Sequence, residues 1–130
     1  MASPRITPEP LDSFLNLWEE ECAEITQKLT ESNPNAEFRL IPYKEFIYVD
    51  WLIFAEEKRN QGLGTKFFQE LIEVADEINC PLALTPDTSF GSSDESRLEE
   101  YYTRFGFIKN IGKDRDFSTN HKMIRPRKNS

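Results

Sequence analysis

From Pro10 to Leu29, apolar residues recur at Leu11, Phe14, Leu15, Trp18, Cys22, Ile25 and Leu29. Steps of three and four place them on one helical face, with the acids on the other. The run Glu31-Ser32-Asn33-Pro34-Asn35 supplies the turn chemistry that ends the helix. Ala36 to Ile41 alternates loosely and predicts a short strand that stops at Pro42. Phe46 to Ala55 (FIYVDWLIFA) is nearly continuous in apolar and aromatic residues, broken only by Asp50. Such a run predicts a strand buried on both faces at the centre of a sheet.

Gly62 to Ile78 carries one stripe of Leu63, Phe67, Leu71, Val74, Ala75 and Ile78, a helix with Lys66, Glu70 and Glu73 facing out. Leu82 to Thr85 reads as a short buried strand. After a Ser-, Asp- and Gly-rich loop, Ser92 and Glu95 stand three apart as a capping box. The helix that follows carries Leu98, Tyr101, Tyr102 and Phe105 and closes at Gly106. Phe107 to Ile111 and Lys122 to Ile124 are the last strands. The order helix, two strands, helix, strand, helix, two strands belongs to the α/β (α+β) class, one sheet flanked by about three helices.

With 130 residues, the chain has the length of one domain, 1–130. Ten Phe, four Tyr and two Trp give it core material and exclude a disordered or collagen-like chain. No apolar run approaches the roughly 20 residues of a membrane span, and the first residues lack a hydrophobic signal, so a cytoplasmic protein is expected. Cys22 and Cys80 cannot build a disulfide framework and read as buried small apolar positions; no metal set or nucleophile pairing is evident. The net charge of -7 argues against a general nucleic-acid binder. That total hides a division: Glu9 to Glu31 holds seven acids and one base, whereas Arg104 onward holds eight bases and two acids. Two solvated faces explain it, or a basic 104–128 segment that meets an anionic partner.

The candidate chemistry concentrates between the long strand and the helix after it, at Arg59-Asn60-Gln61-Gly62-Leu63-Gly64-Thr65. A strand that runs through a glycine turn into a helix N-terminus makes an anion site, because free amides and the helix dipole converge there. A P-loop would need glycine at Arg59 and lysine directly after Gly64, and a dinucleotide fingerprint would need glycine at Phe67. Neither spacing is present.

Arg59-x-x-Gly62-x-Gly64 instead resembles the acyl-CoA pyrophosphate loop of the GCN5-related N-acetyltransferase superfamily. Tyr102-Thr103-Arg104-Phe105-Gly106-Phe107 looks like its second signature, Tyr-x-x-x-Gly-Phe, 38 residues beyond Gly64. The resemblance covers roughly residues 46–111, with an abbreviated N-terminal part. It implies a mixed sheet whose two neighbouring parallel strands splay apart, with the pantetheine arm of acetyl-CoA in the gap along Leu52, Ile53 and Phe54. It implies the pyrophosphate over Gln61, Gly62, Leu63, Gly64 and Thr65, with Arg59 and Asn60 alongside. Where the family often carries an Asn that contacts pantetheine, this chain has Glu95.

On that footing the expected activity is acetyl transfer from acetyl-CoA to a primary amine in a ternary complex, with no metal. Tyr102 holds the position of the family's acid, a neutral phenol that protonates the leaving thiolate; the alternative is a core tyrosine. Tyr101, about 100° around the helix, is the poorer candidate. Asp50 is expected to be the base: by strand alternation it shares a face with Leu52 and Phe54, and Val49 and Trp51 would desolvate it. It would otherwise sit at a solvated strand end, with Glu45 and Tyr48 as the fallback. His121, the only histidine, reads as a surface residue without a partner. The acid-rich surface favours a cationic amine acceptor. Two other expectations stand: an acceptor that is a nucleotide, modified base or nucleic-acid-associated protein, and a non-catalytic acyl-CoA-binding or interaction module. A homodimer is compatible with both.

Overall fold

A computed structural model describes residues 17–54, 62–86, 95–112, 115, 119 and 121–128. Within them lie α1 (Glu19–Ser32), β1 (Ala36–Tyr43), β2 (Phe46–Phe54), α2 (Leu63–Ile78), β3 (Leu82–Leu84), α3 (Glu95–Thr103), β4 (Ile108–Lys109) and β5 (Met123–Arg125). This is the element order the apolar pattern predicts. The start of the first helix, at Pro10, and the Ser92 cap fall outside the described residues.

The strands form one mixed five-stranded sheet in the order β1-β2-β3-β5-β4. Only β2 and β3 run parallel, joined by the α2 crossover, and the other three pairings are antiparallel. β1 continues through Pro42 to Tyr43, past the expected stop. Among the described strands β1 is an edge, where the missing N–H of a proline costs no ladder bond. The β1–β2 hairpin turns at Lys44, at φ 56°, and Trp18 Nε1 donates to Glu45 O at 2.8 Å, tying the start of α1 to that turn.

The sheet's two faces are built differently. The larger core joins Cys22, Ile25 and Leu29 of α1 and Phe67, Phe68, Leu71 and Ala75 of α2 to Ile47, Val49, Leu82 and Leu84 of the sheet. Tyr101 and Tyr102 of α3 pack against the same cluster, so all three described helices serve one face. A smaller cluster of Phe46, Tyr48 and Ala83, with Ile41 and Ile124 against it, occupies the other. Phe68 is the hub of the first: its ring lies 5.3 Å from Phe105, 5.4 Å from Tyr102 and 6.3 Å from Tyr101.

Asn79 closes α2 in the left-handed region at φ 59°, where asparagine is tolerated. Gly106, at φ 94°, lets the chain turn from α3 into β4, and a Cβ there would lie 3.1 Å from Arg125 Nε. The room is used: Arg125 Nε donates to Phe105 O at 2.6 Å, and its guanidinium holds Asp76 through bonds of 2.7 and 3.2 Å. One arginine thus locks the end of α3 and the last turns of α2 to β5. Both cysteines are buried as expected, and burial pushes the Cys80 thiol up to about 12 and raises that of Cys22, which leaves neither a nucleophile.

Candidate functional site

The site follows from how β2 changes partners. It pairs in parallel with β3 from Ile47↔Leu82 to Val49↔Leu84, and that ladder stops there while β2 runs on to Phe54. At the same place the antiparallel register with β1 slips, since Arg39 faces Trp51 but the next residue, Leu40, faces Val49. Asp50 is therefore the extra residue of a β-bulge. A bulge bends its strand, and this one sits where β2 passes the end of the β3 ladder.

The slip corrects the reading of Asp50. Simple alternation puts it with Leu52 and Phe54, but those two pack against the helix-side core while Asp50 is exposed. Its carboxylate stands 4.0 Å from Arg39 Nε, with the two side chains 40% and 64% exposed. An inserted residue turns its side chain out of the alternating pattern, so Asp50 does not share the half-buried face of Leu52 and Phe54.

Beyond β2 the chain enters α2 through Gly62 at φ 77°, ψ 10°, in the left-handed region. Among the described residues no side chain caps this helix, and its first turn holds no acid. The amides of the first turn therefore keep both their dipole and their donors for an anion. Among the described residues a Cβ on Gly62 would meet nothing within 4 Å. Gly64 is tighter: its Cβ would lie 3.1 Å from Tyr101 Oη and 3.8 Å from Phe54 Cε2. Lys66 turns away from the loop, donating to Ser32 O at 2.7 Å and pairing with Glu70 at 3.2 Å, so it caps α1 instead. Arg59, Asn60 and Gln61 lie outside the described residues.

Tyr101 reaches the start of α2. Its hydroxyl is 3.2 Å from Thr65 Oγ1 and sits over Gly64. Burial raises its pKa and the Thr65 hydrogen bond only partly offsets this, so it is a neutral hydroxyl at physiological pH. Tyr102 is half-buried, its ring 5.4 Å from Phe68 and 6.1 Å from Phe107. A helix offset of about 100° turns Tyr101 onto the first turn of α2, not away from the site. Glu95 opens α3, but its side chain is not among those described.

His121 also differs from its expectation. It is half-buried, with its ring 4.3 Å from that of Tyr48 and Nδ1 3.1 Å from Thr85 Oγ1. Glu45, the other fallback, is bound to Arg127 at 2.8 Å. Three of the eight bases of the C-terminal stretch pair with acids: Arg125 with Asp76, Arg127 with Glu45, and Lys109 with Glu99 at 3.4 Å. Among the described residues no cluster of His, Cys, Asp and Glu suits a metal ion, and no helix is long and apolar enough to cross a membrane.

The fold has a solved counterpart. The crystal structure of the anti-CRISPR protein AcrVA5 aligns with 70% of this chain and 90% of its own, at a TM-score of 0.53 and 19% identity. No protein-family model matches the chain, and no curated protein sequence matches it. At that identity the likeness establishes architecture alone.

Proposed function

We propose that this protein is an acetyl-CoA-dependent N-acetyltransferase that acts on a primary amine by direct transfer. The observation that carries the reading is the course of β2. It bulges at Asp50, runs on past the β3 ladder after Val49, and is followed by a helix that begins at a left-handed Gly62 with no described cap and no acid in its first turn.

Acetyl-CoA supplies the activated acyl group, and the chain supplies places for its parts. The amides from Gly62 to Thr65 take the pyrophosphate, with Arg59, Asn60 and Gln61 just before them. The β2 backbone at Leu52, Ile53 and Phe54 accepts the pantetheine arm as a sheet accepts an added strand. At the bulge, the distorted ladder frees backbone amides to receive the developing oxyanion. Tyr102 protonates the departing thiolate, and Tyr101 lines the loop at Gly64.

The name of the structural neighbour favours a second reading of the acceptor. A protein that opposes a CRISPR system meets nucleic-acid-associated proteins, so a lysine on such a protein is the alternative amine. The pairing of Arg125, Arg127 and Lys109 with acids weakens the case for the 104–128 segment as its docking surface. Calorimetry with acetyl-CoA, followed by free-thiol release over small amines, peptides and basic proteins, tests both. Binding with turnover is expected; binding without turnover on any amine leaves an acyl-CoA-binding module, and no binding overturns the proposal.

A further inference from the structure

At the fork between β2 and β3, on the face away from the helices, the chain assembles a set of polar groups around one imidazole. Thr85 follows Leu84, the last residue of the parallel ladder, and Asp50 follows Val49, its partner. His121 joins them from the segment before β5. Its ring is set between Tyr48 at 4.3 Å and Thr85 Oγ1 at 3.1 Å. Its backbone is fixed as well: the N–H donates to Thr119 Oγ1, and the carbonyl accepts from Asn110 Nδ2, both at 3.2 Å. Asn33, Asn110 and Thr119 are the buried polar residues among those described, and two of the three hold His121. Buried polar groups are costly unless hydrogen-bonded, and these two are bonded to the backbone that carries this ring.

We propose that His121 is the base that takes the proton from the attacking amine, through Nε2, at this fork. The proposal rests on the acetyltransferase reading and names the group that reading leaves open. Thr85 Oγ1 accepts the Lys122 N–H at 3.2 Å with one lone pair. Its hydroxyl also meets His121 Nδ1 at 3.1 Å, and with Nδ1–H as the donor in that bond the neutral ring keeps its lone pair on Nε2, the tautomer this role requires. β2 rises about 3.3 Å per residue, so from Phe54 back to Asp50 is about 13 Å. An arm anchored at the α2 N-terminus and laid along β2 thus brings its far end to the fork.

In the transfer, the amine nitrogen bonds to the acyl carbon as the carbon–sulfur bond breaks. The proton lost by nitrogen goes to Nε2 and then to solvent. The thiolate takes its proton from a tyrosine hydroxyl, which recovers one from solvent. Burial lowers the pKa of His121, and the Asp50 charge opposes that shift. Other titratable or charged groups at the ring are Tyr48 beside it, Lys122 next in the chain, and Arg39 behind Asp50. The base is therefore neutral and competent at pH 7, with an acidic limb below the ordinary histidine range.

The full chain tests this directly, because its single histidine gives one unambiguous imidazole signal. An NMR titration is expected to place the midpoint below about 6.5, and Asp50→Asn to lower it further. The acidic limb of kcat/KM, measured with acetyl-CoA and spermidine, lysine or a lysine peptide, should follow the same midpoint in both proteins. His121→Gln should reduce kcat by on the order of 100-fold and abolish that limb, with acetyl-CoA affinity unchanged. If that variant does not fold, Thr85→Val should cut kcat about tenfold and move the limb, with Thr85→Ser restoring both. Wild-type turnover with a His121→Gln variant that keeps its rate and limb would overturn the role of His121 alone. So would an Asp50→Asn variant that is inactive while its His121 titrates as expected. Failure of the wild type to bind acetyl-CoA overturns the underlying activity, and this role with it.

Discussion

The two halves of β2 have nearly the same composition and opposite roles. Phe46 to Val49 are all buried, with β1 on one side and β3 on the other. From Trp51 to Phe54 every residue is only half-buried, the β3 ladder has ended, and Asp50 between the halves is exposed. Apolar content does not separate them, since Trp51-Leu52-Ile53-Phe54 is as hydrophobic as Phe46-Ile47-Tyr48-Val49. Partnership does. One half is the sheet's centre, and the other runs beyond the end of the β3 ladder with β1 as its paired neighbour among the described strands.

The comparison breaks first on stability. Ile47, fully buried, should lose about 2–5 kcal/mol on Ile47→Ala, and Phe68→Ala beneath it about 3–5 kcal/mol. Ile53→Ala, half-buried past the fork, should cost about 1 kcal/mol, as expected for partial burial. Urea unfolding of the three variants checks this, and equal losses at Ile47 and Ile53 would erase the distinction.

The next effect lies in the lock around the paired half. Arg125 is 15% exposed and Asp76 24%, and Asp76→Asn leaves the guanidinium without its carboxylate at a cost of about 1.5–3 kcal/mol at pH 7. The Arg125 hydrogen bonds lower the Asp76 pKa. A depressed carboxyl stabilises the fold above its unfolded value of about 3.9 and loses that contribution as pH falls through the folded value. Melting points measured from pH 7 down to pH 2 should therefore fall more in the wild type than in Asp76→Asn, the two curves converging in acid.

The contrast within β2 also marks what could be read from the sequence. The element order was legible because each segment carries its own period, and the Gly62 turn and the Gly106 corner because both backbones lie in the left-handed region that favours glycine. The bulge was not. It is a property of the pairing of Arg39 and Leu40 with β2, and the alternation of one strand, read alone, assigned Asp50 to a face with Leu52 and Phe54. His121 was missed for the same reason: Thr85, its side-chain partner, is 36 residues away. Tyr101 was set aside because motif register chose its neighbour, while its contact with Thr65 depends on where α2 begins.

At the open end, the effect on folding is smaller and the effect on ligand larger. Gly62→Val forces a β-branched residue to φ 77° and should cost about 1–2 kcal/mol. The added side chain should at the same time weaken acetyl-CoA binding at least tenfold. Calorimetry alongside thermal melts separates the two, and a Gly62→Val protein that binds normally would remove the loop from the site.

The smallest effect discriminates most finely. Tyr101→Phe deletes one hydroxyl bonded to Thr65 and should change stability by no more than about 1 kcal/mol. The same hydroxyl is what a methyl on Gly64 would strike, at 3.1 Å. Gly64→Ala alone should therefore displace Tyr101 and weaken acetyl-CoA binding, and Gly64→Ala with Tyr101→Phe should recover part of the loss. A double-mutant cycle in binding free energy reads that coupling. Additivity would mean that Tyr101 touches the turn without shaping it, and the tyrosine that matters to the open half of the site would then be Tyr102 alone.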